Sequence, residues 1–202
     1  MKKGWIIALA ILGFLILAVV IIIGYFVSSY NSIVAGEQSV KEQWAQVENV
    51  YQRRLDLIPN LVETVKGYAK HEKETFVSVT EARSKVSQIN MSPDMLKNAD
   101  QFSKFNDAQA GLSSALSRLM VVVEKYPELK ANENFKGLQV ELAGSENRIS
   151  NERRRYNEIA KAYNTNIKTV PQNFIAGMFN FKEYNYFKAD EGAAKAPKVN
   201  FN

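Results

Sequence analysis

Hydrophobic positions fall into two regimes along this chain. From Trp5 to Val27 every residue is apolar or glycine except the amphipathic Tyr25, and none is charged. At 1.5 Å per residue a helix over this stretch is roughly 33 Å long, enough to cross a hydrocarbon core of about 30 Å. Beyond it, apolar residues recur every three or four positions, as one face of a helix requires. Val40, Trp44, Val47, Tyr51, Leu55 and Ile58 make the first run, and Val62, Val65, Ala69, Glu72, Phe76, Val79, Arg83 and Val86 continue the spacing. Phe105, Ala108, Leu112, Ala115, Leu119, Val122 and Tyr126 make a third. The fourth is Phe135, Leu138, Leu142, Ser145, Ile149, Glu152, Tyr156, Ile159 and Tyr163. No run alternates with period two, so no strand is predicted before the tail.

The breaks between runs have recognisable chemistry. Asn90-Met91-Ser92-Pro93-Asp94 is a turn cluster in which Ser92 is expected to cap and Pro93 to open the next helix. Tyr126-Pro127 ends the third run, because a residue before proline avoids helical geometry. Pro171 closes the fourth. Pro59 could be a turn or a kink, since the apolar register passes through it unbroken. Splitting there gives helices of about 28, 30, 30 and 37 residues, which match as an up-and-down bundle. The expected fold is therefore all-α: an N-terminal transmembrane helix followed by an antiparallel up-and-down four-helix bundle. Residues 1–4 form a short charged N-terminus, 5–27 the anchor, 28–170 the bundle, and 171–202 an aromatic membrane-proximal tail with a loose end from Asp190. That topology returns the 90–100 connection and everything after Pro171 to the membrane.

Charge and composition refine the anchor. Trp5 and Tyr25 sit near its ends, where aromatic rings favour the headgroup layer. A cleaved signal peptide would have an apolar core of only about 7–15 residues and a small-residue cleavage site, which Ile33-Val34-Ala35 does not supply. There is no cysteine to carry a lipid anchor. Lys2 and Lys3 precede the span while Lys41 is the first base after it, so the positive-inside rule leaves the N-terminus in the cytoplasm and the bundle outside. Those two lysines belong to the net charge of +5, so the domain itself carries about +3. That excess suits a surface near anionic lipid and is too small for nucleic-acid binding.

Candidate chemistry is sparse. His71 is the sole histidine, and a zincin helix needs a second one four residues later, where Thr75 stands. Glycines 4, 13, 24 and 36 are too dispersed to cradle phosphate, and in the anchor they offer no convincing small-residue pairing motif. Glu72 and Arg83 occupy seam positions, and a buried charge is costly unless paired. Arg53, Arg54, Asp56, Glu124, Glu146, Arg148 and Glu152 are their candidate partners. A register-setting ion-pair network is the expectation, with a proton relay or ligand site as the functional alternative. Arg153-Arg154-Arg155 fans around its helix, since successive positions differ by about 100°, and reads as a solvated face with one inward ion pair. Phe174, Ile175, Met178, Phe179, Phe181, Tyr184, Tyr186 and Phe187 crowd the tail. They either cap the membrane end of the bundle or, as the topology suggests for Phe174, Met178, Phe179, Phe181 and Phe187, contact lipid or a neighbouring protomer.

Several stretches together resemble the LemA family. They are Tyr30-Asn31, Arg53-Arg54-Leu55-Asp56-Leu57-Ile58-Pro59-Asn60-Leu61-Val62, Gly67-Tyr68, His71-Glu72 and Ala82-Arg83. Further on come Tyr126-Pro127-Glu128-Leu129-Lys130-Ala131-Asn132 and Leu142-Ala143-Gly144-Ser145-Glu146-Asn147-Arg148-Ile149. Arg154, Tyr156-Asn157, Tyr163-Asn164 and Tyr186-Phe187 complete the set, in order over roughly residues 28–188. The resemblance implies an N-terminally anchored four-helix bundle of bacterial membranes without an established enzymatic activity. The broad group includes a magnetosome membrane protein, which favours membrane organisation, and relatives encoded beside a membrane metalloprotease, which suggests envelope quality control. No catalytic role transfers to Arg54, Asp56, Glu72, Arg83, Glu146, Arg148 or Arg154.

The expectation is thus a non-enzymatic, single-pass scaffold of the bacterial inner membrane that self-associates and contacts lipid, without cofactor, metal or nucleic acid. The alternative is an adaptor or receptor module for a membrane protease or envelope-stress partner.

Overall fold

A computed structural model describes residues 2–188, and the loose end expected from Asp190 lies outside that range. The described chain is all-α apart from its extended tail. The helices are α1 (Lys2–Tyr68), α2 (Lys73–Ser87), α3 (Ala99–Val123), α4 (Pro127–Ala131), α5 (Glu133–Lys168) and α6 (Gln172–Met178). A 3-10 turn at Pro93–Lys97 precedes α3.

Pro59 lies inside α1 and does not end it, contrary to the split expected there. The anchor and the first bundle helix are one continuous rod, roughly 100 Å long at helical rise. Proline removes the hydrogen bond to the carbonyl four residues earlier, here that of Leu55. Arg83 Nε from α2 donates to that carbonyl at 3.0 Å, so the orphaned acceptor is satisfied from a facing helix. Pro59 itself is exposed, while Ile58, Leu61, Val62 and Val65 stay buried on either side of it. The first distal turn consequently falls at residues 69–72.

From Ser29 onward α1 joins α2, α3 and α5 in an up-and-down arrangement. Gln43 meets Glu152 and Arg53 meets Glu141, so α1 and α5 are antiparallel. Arg118 meets Ser78, so α2 and α3 are antiparallel too. Caps differ from the expectation at the 90–98 connection. Ser92 makes no side-chain cap bond, and Asn98 instead accepts from Gln101 N at 3.0 Å to start α3. Asn132 performs the same service for α5, accepting from Phe135 N at 3.0 Å.

The core has two parts. Ile33, Val40, Trp44, Tyr51, Phe105, Tyr156 and Tyr163 belong to the membrane-proximal part. Leu55, Ile58, Val65, Val79, Leu112, Leu119 and Phe135 belong to the distal part. Between them sits a polar layer of Arg54, Gln109 and Ser145, all buried.

After α6 the chain reverses. Asn180 takes a left-handed φ of 57°, which asparagine tolerates better than most residues. Phe181 N bonds to Ala176 O at 2.9 Å and Asn180 N to Gly177 O at 3.4 Å, the two bonds of a Schellman ending. The tail then climbs beside α5, away from the anchor.

Candidate membrane-interface site

The anchor segment carries its apolar side chains fully to the outside, Trp5 and Tyr25 included. A core helix of a soluble protein would bury such a surface. At its upper end Phe26 and Tyr30 meet α6 and the turn after it. The Phe26–Phe179 ring centroids are 6.3 Å apart, Tyr30–Phe179 4.8 Å and Tyr30–Phe181 5.9 Å. Phe174 and Met178 project from α6 with 68% and 70% of their surfaces exposed. These residues form an apolar collar at the foot of the bundle, within about one turn of the end of the span.

Phe187 departs from the expectation of an interfacial role. It is buried in the core, stacked with Trp44 at 6.3 Å and edge-on to Tyr156 at 5.4 Å. Tyr184 is buried as well. The reason is a pair of clamps on α5. Asn164 donates to Tyr184 O and accepts from Tyr184 N, both at 2.9 Å. Asn157 donates to Phe187 O at 2.8 Å and accepts from Phe187 N at 2.9 Å. Seven helical residues span about 10.5 Å and three extended ones about 10 Å, so two amides on one helix face match two strand residues. These asparagines stand in the Tyr156-Asn157 and Tyr163-Asn164 repeats. The seven-residue recurrence of Tyr-Asn was the signal that could have revealed them.

The charged residues distribute unevenly. Arg54 is buried, its Nη2 donating to Ser113 Oγ at 2.7 Å. Its Nε lies 2.9 Å from Glu146 Oε1, within ion-pair range but off the line of a hydrogen bond. Burial pulls the Arg54 guanidinium below its ordinary pKa against the opposing charge of Glu146. Arg53 pairs with Glu141 at the surface and Asp56 accepts from Gln52 at 2.8 Å. Arg83 serves Leu55, as described, instead of a carboxylate. Glu72 is half-buried just before α2, and among the described residues it has no ion-pair partner. Arg148 is exposed, and Arg154 donates to Asn151 Oδ1 at 3.1 Å. Of the basic triplet, Arg153 is the inward one, donating to Lys188 O at 3.0 Å and lying 4.6 Å from the Phe187 ring centroid.

One polar cluster escaped the periodicity because it joins four separate segments. Glu37 on α1 pairs with Lys97 and, at 3.4 Å, with Lys41, while the Tyr184 hydroxyl donates to Glu37 at 3.5 Å. Burial raises the Glu37 carboxyl, but the hydrogen bond and charge of Lys97, with help from Lys41, outweigh it and hold the pKa below the usual 4.5. Tyr163 and Tyr184 are pushed up, first by burial and then by the Glu37 charge, so both hydroxyls stay neutral.

Residues 43–201 match the model of the LemA family. The chain belongs to that family. Its LemA region takes in the Arg54 layer, the Pro59–Arg83 contact and both asparagine clamps. Among curated proteins, Magnetosome protein MamQ 2 of Paramagnetospirillum magneticum is 28% identical over 189 residues, covering 86% of this chain and 70% of that protein. Magnetosome protein MamQ of Magnetospirillum gryphiswaldense is 26% identical, with 85% and 69% covered. Protein LemA of Metamycoplasma hominis is 26% identical, with 88% and 79% covered. This LemA-family chain is a membrane-associated helical protein, and among the described residues one helix is long and apolar enough to span a bilayer.

Proposed function

We propose that this protein is a self-associating scaffold of the bacterial inner membrane that organises a patch of bilayer by assembly and not by catalysis. The carrying observation is the unbroken α1. It joins the anchor to the bundle in one helix, with Phe26, Phe174, Met178 and Phe179 forming an apolar collar near the end of the span, which favours a place for them at the membrane surface. An exposed apolar rim at that height favours contact with lipid and with neighbouring copies. The relatives named as magnetosome proteins support a role in membrane organisation. Lys2 and Lys3 favour a cytoplasmic N-terminus and a bundle on the extracytoplasmic side. The only histidine, His71, is exposed in the distal turn, which favours a non-enzymatic reading.

The test is the mass of the full-length protein extracted gently from membranes. A homo-oligomer that shrinks when Phe174, Met178 and Phe179 are all replaced by serine supports the scaffold. A monomer at micromolar concentration sinks it, and a one-to-one complex with another membrane protein would favour an adaptor instead.

A further inference from the structure

An open recess of about 530 Å³ lies between the 3-10 turn, the end of α5, α6 and the start of the tail. Lys97, Lys168 and Lys182 line it, with Asn173 and one carboxylate, Glu183, among the other polar groups. Ile167, Ala176 and Phe181 also border it, the first two almost fully buried. Glu183 holds Lys168 at 2.6 Å, and Glu37 holds Lys97 from behind. Among the described residues Lys182 has no ion-pair partner. The recess therefore keeps a cationic excess.

Its height is set by α1. Asn166 bonds to Ser32 at 3.4 Å and Phe181 packs on Tyr30, which places Lys168 and Lys182 near the level of residues 30–32. Counted from Val27, that is about 5–8 Å above the apolar span. The headgroup layer beside the hydrocarbon core is itself about 5–7 Å deep. Ammonium groups at this level, next to the exposed apolar collar of Phe174 and Met178, suit a phosphate bearing acyl chains better than a free anion.

We propose that this recess is a binding site for the phosphate headgroup of an anionic phospholipid, held by Lys168 and Lys182 with Lys97 at the upper lip. Glu183 competes with the lipid for Lys168. The proposal rests on the anchored reading of the protein, and it gives the scaffold a means of selecting its membrane.

The experiment titrates full-length protein in mild detergent with phosphatidylglycerol, phosphatidylcholine or inorganic phosphate and counts adducts by native mass spectrometry. Wild type is expected to take up phosphatidylglycerol saturably and in preference to phosphatidylcholine. K168Q/K182Q weakens it roughly thirtyfold, the weight of two ammonium groups at an anionic surface. E183Q tightens it, and K182Q alone, which breaks no ion pair among the described residues, weakens it without lowering Tm. Equal binding by wild type and K182Q or K168Q/K182Q overturns the site. So does equal uptake of both lipids, or displacement of lipid by phosphate at matched concentration. Alkaline washing of membranes tests the anchor separately: protein that washes off refutes anchoring, whereas retained protein with unselective lipid uptake refutes only the recess.

Discussion

At the scale of single residues, the most informative contact is the one between Arg83 and the carbonyl that Pro59 leaves without a donor. A buried acceptor stripped of its partner costs about 1–3 kcal/mol, so Arg83→Ala should lower unfolding free energy by that amount in denaturant titration. In a Pro59→Ala background the backbone donor returns, and the same substitution should cost less. A coupling below about 0.5 kcal/mol in the double-mutant cycle would show that the two residues act independently. Glu37 gives a second prediction at this scale. Its folded pKa lies below the usual 4.5, so the folded state favours the ionised form. The resulting stability is present above that value and is lost as pH falls through the depressed folded pKa. Glu37→Gln should flatten the acid limb of the stability profile below about pH 5 while leaving the helical content at neutral pH unchanged.

At the scale of elements, the tail behaves as an added strand paired to a helix by side-chain amides. The pairing works because seven residues of helix and three of strand cover nearly the same distance. Each clamp satisfies a buried or half-buried backbone N–H and C=O of the tail. Asn157→Ala with Asn164→Ala should therefore release residues 181–188, seen as faster amide hydrogen exchange there, while α3 and the distal part of the bundle keep their protection. Phe187→Ala removes an aromatic side chain shared by Trp44, Phe102 and Tyr156. It should cost about 3–5 kcal/mol, the range for a large-to-small change in a packed core. Tyr186→Ala, which removes a part-exposed ring and the hydroxyl that accepts from Asn164 Nδ2 at 2.9 Å, should cost less.

At the scale of the whole molecule, α1 runs without a break from the anchor into the bundle. Insertion of one alanine after Val27 turns the anchor by about 100° against the bundle and separates Phe26 from Phe179. The chain should still reach the membrane, because a single span has no preferred lipid-facing side. If anchor and collar assemble as one surface, however, the extracted particle should lose mass. An unchanged particle would assign self-association to the distal bundle faces alone.

Periodicity and chain length determined a good deal. The uncharged stretch from Trp5 to Val27, the helical runs and the breaks at Pro93, Pro127 and Pro171 all depend on local sequence, and burial of one apolar stripe per helix makes an all-α chain unavoidable. Local signals could not decide what happens at Pro59. A proline stays within a helix when another element supplies the missing donor, and Arg83 comes from 24 positions further along. The tail shows the same limit. Its aromatics could read either as a cap on the bundle or as a contact with lipid or a neighbouring protomer, and Asn157 and Asn164 divide them, drawing Tyr184 and Phe187 into the core and leaving Phe174, Met178 and Phe179 at the foot. Glu37, Lys97 and Tyr184 meet only because α1, the 3-10 turn and the tail converge. Contacts between distant segments carry no periodic signature, so only the tertiary structure determines which charges are paired and which aromatic side chains remain exposed.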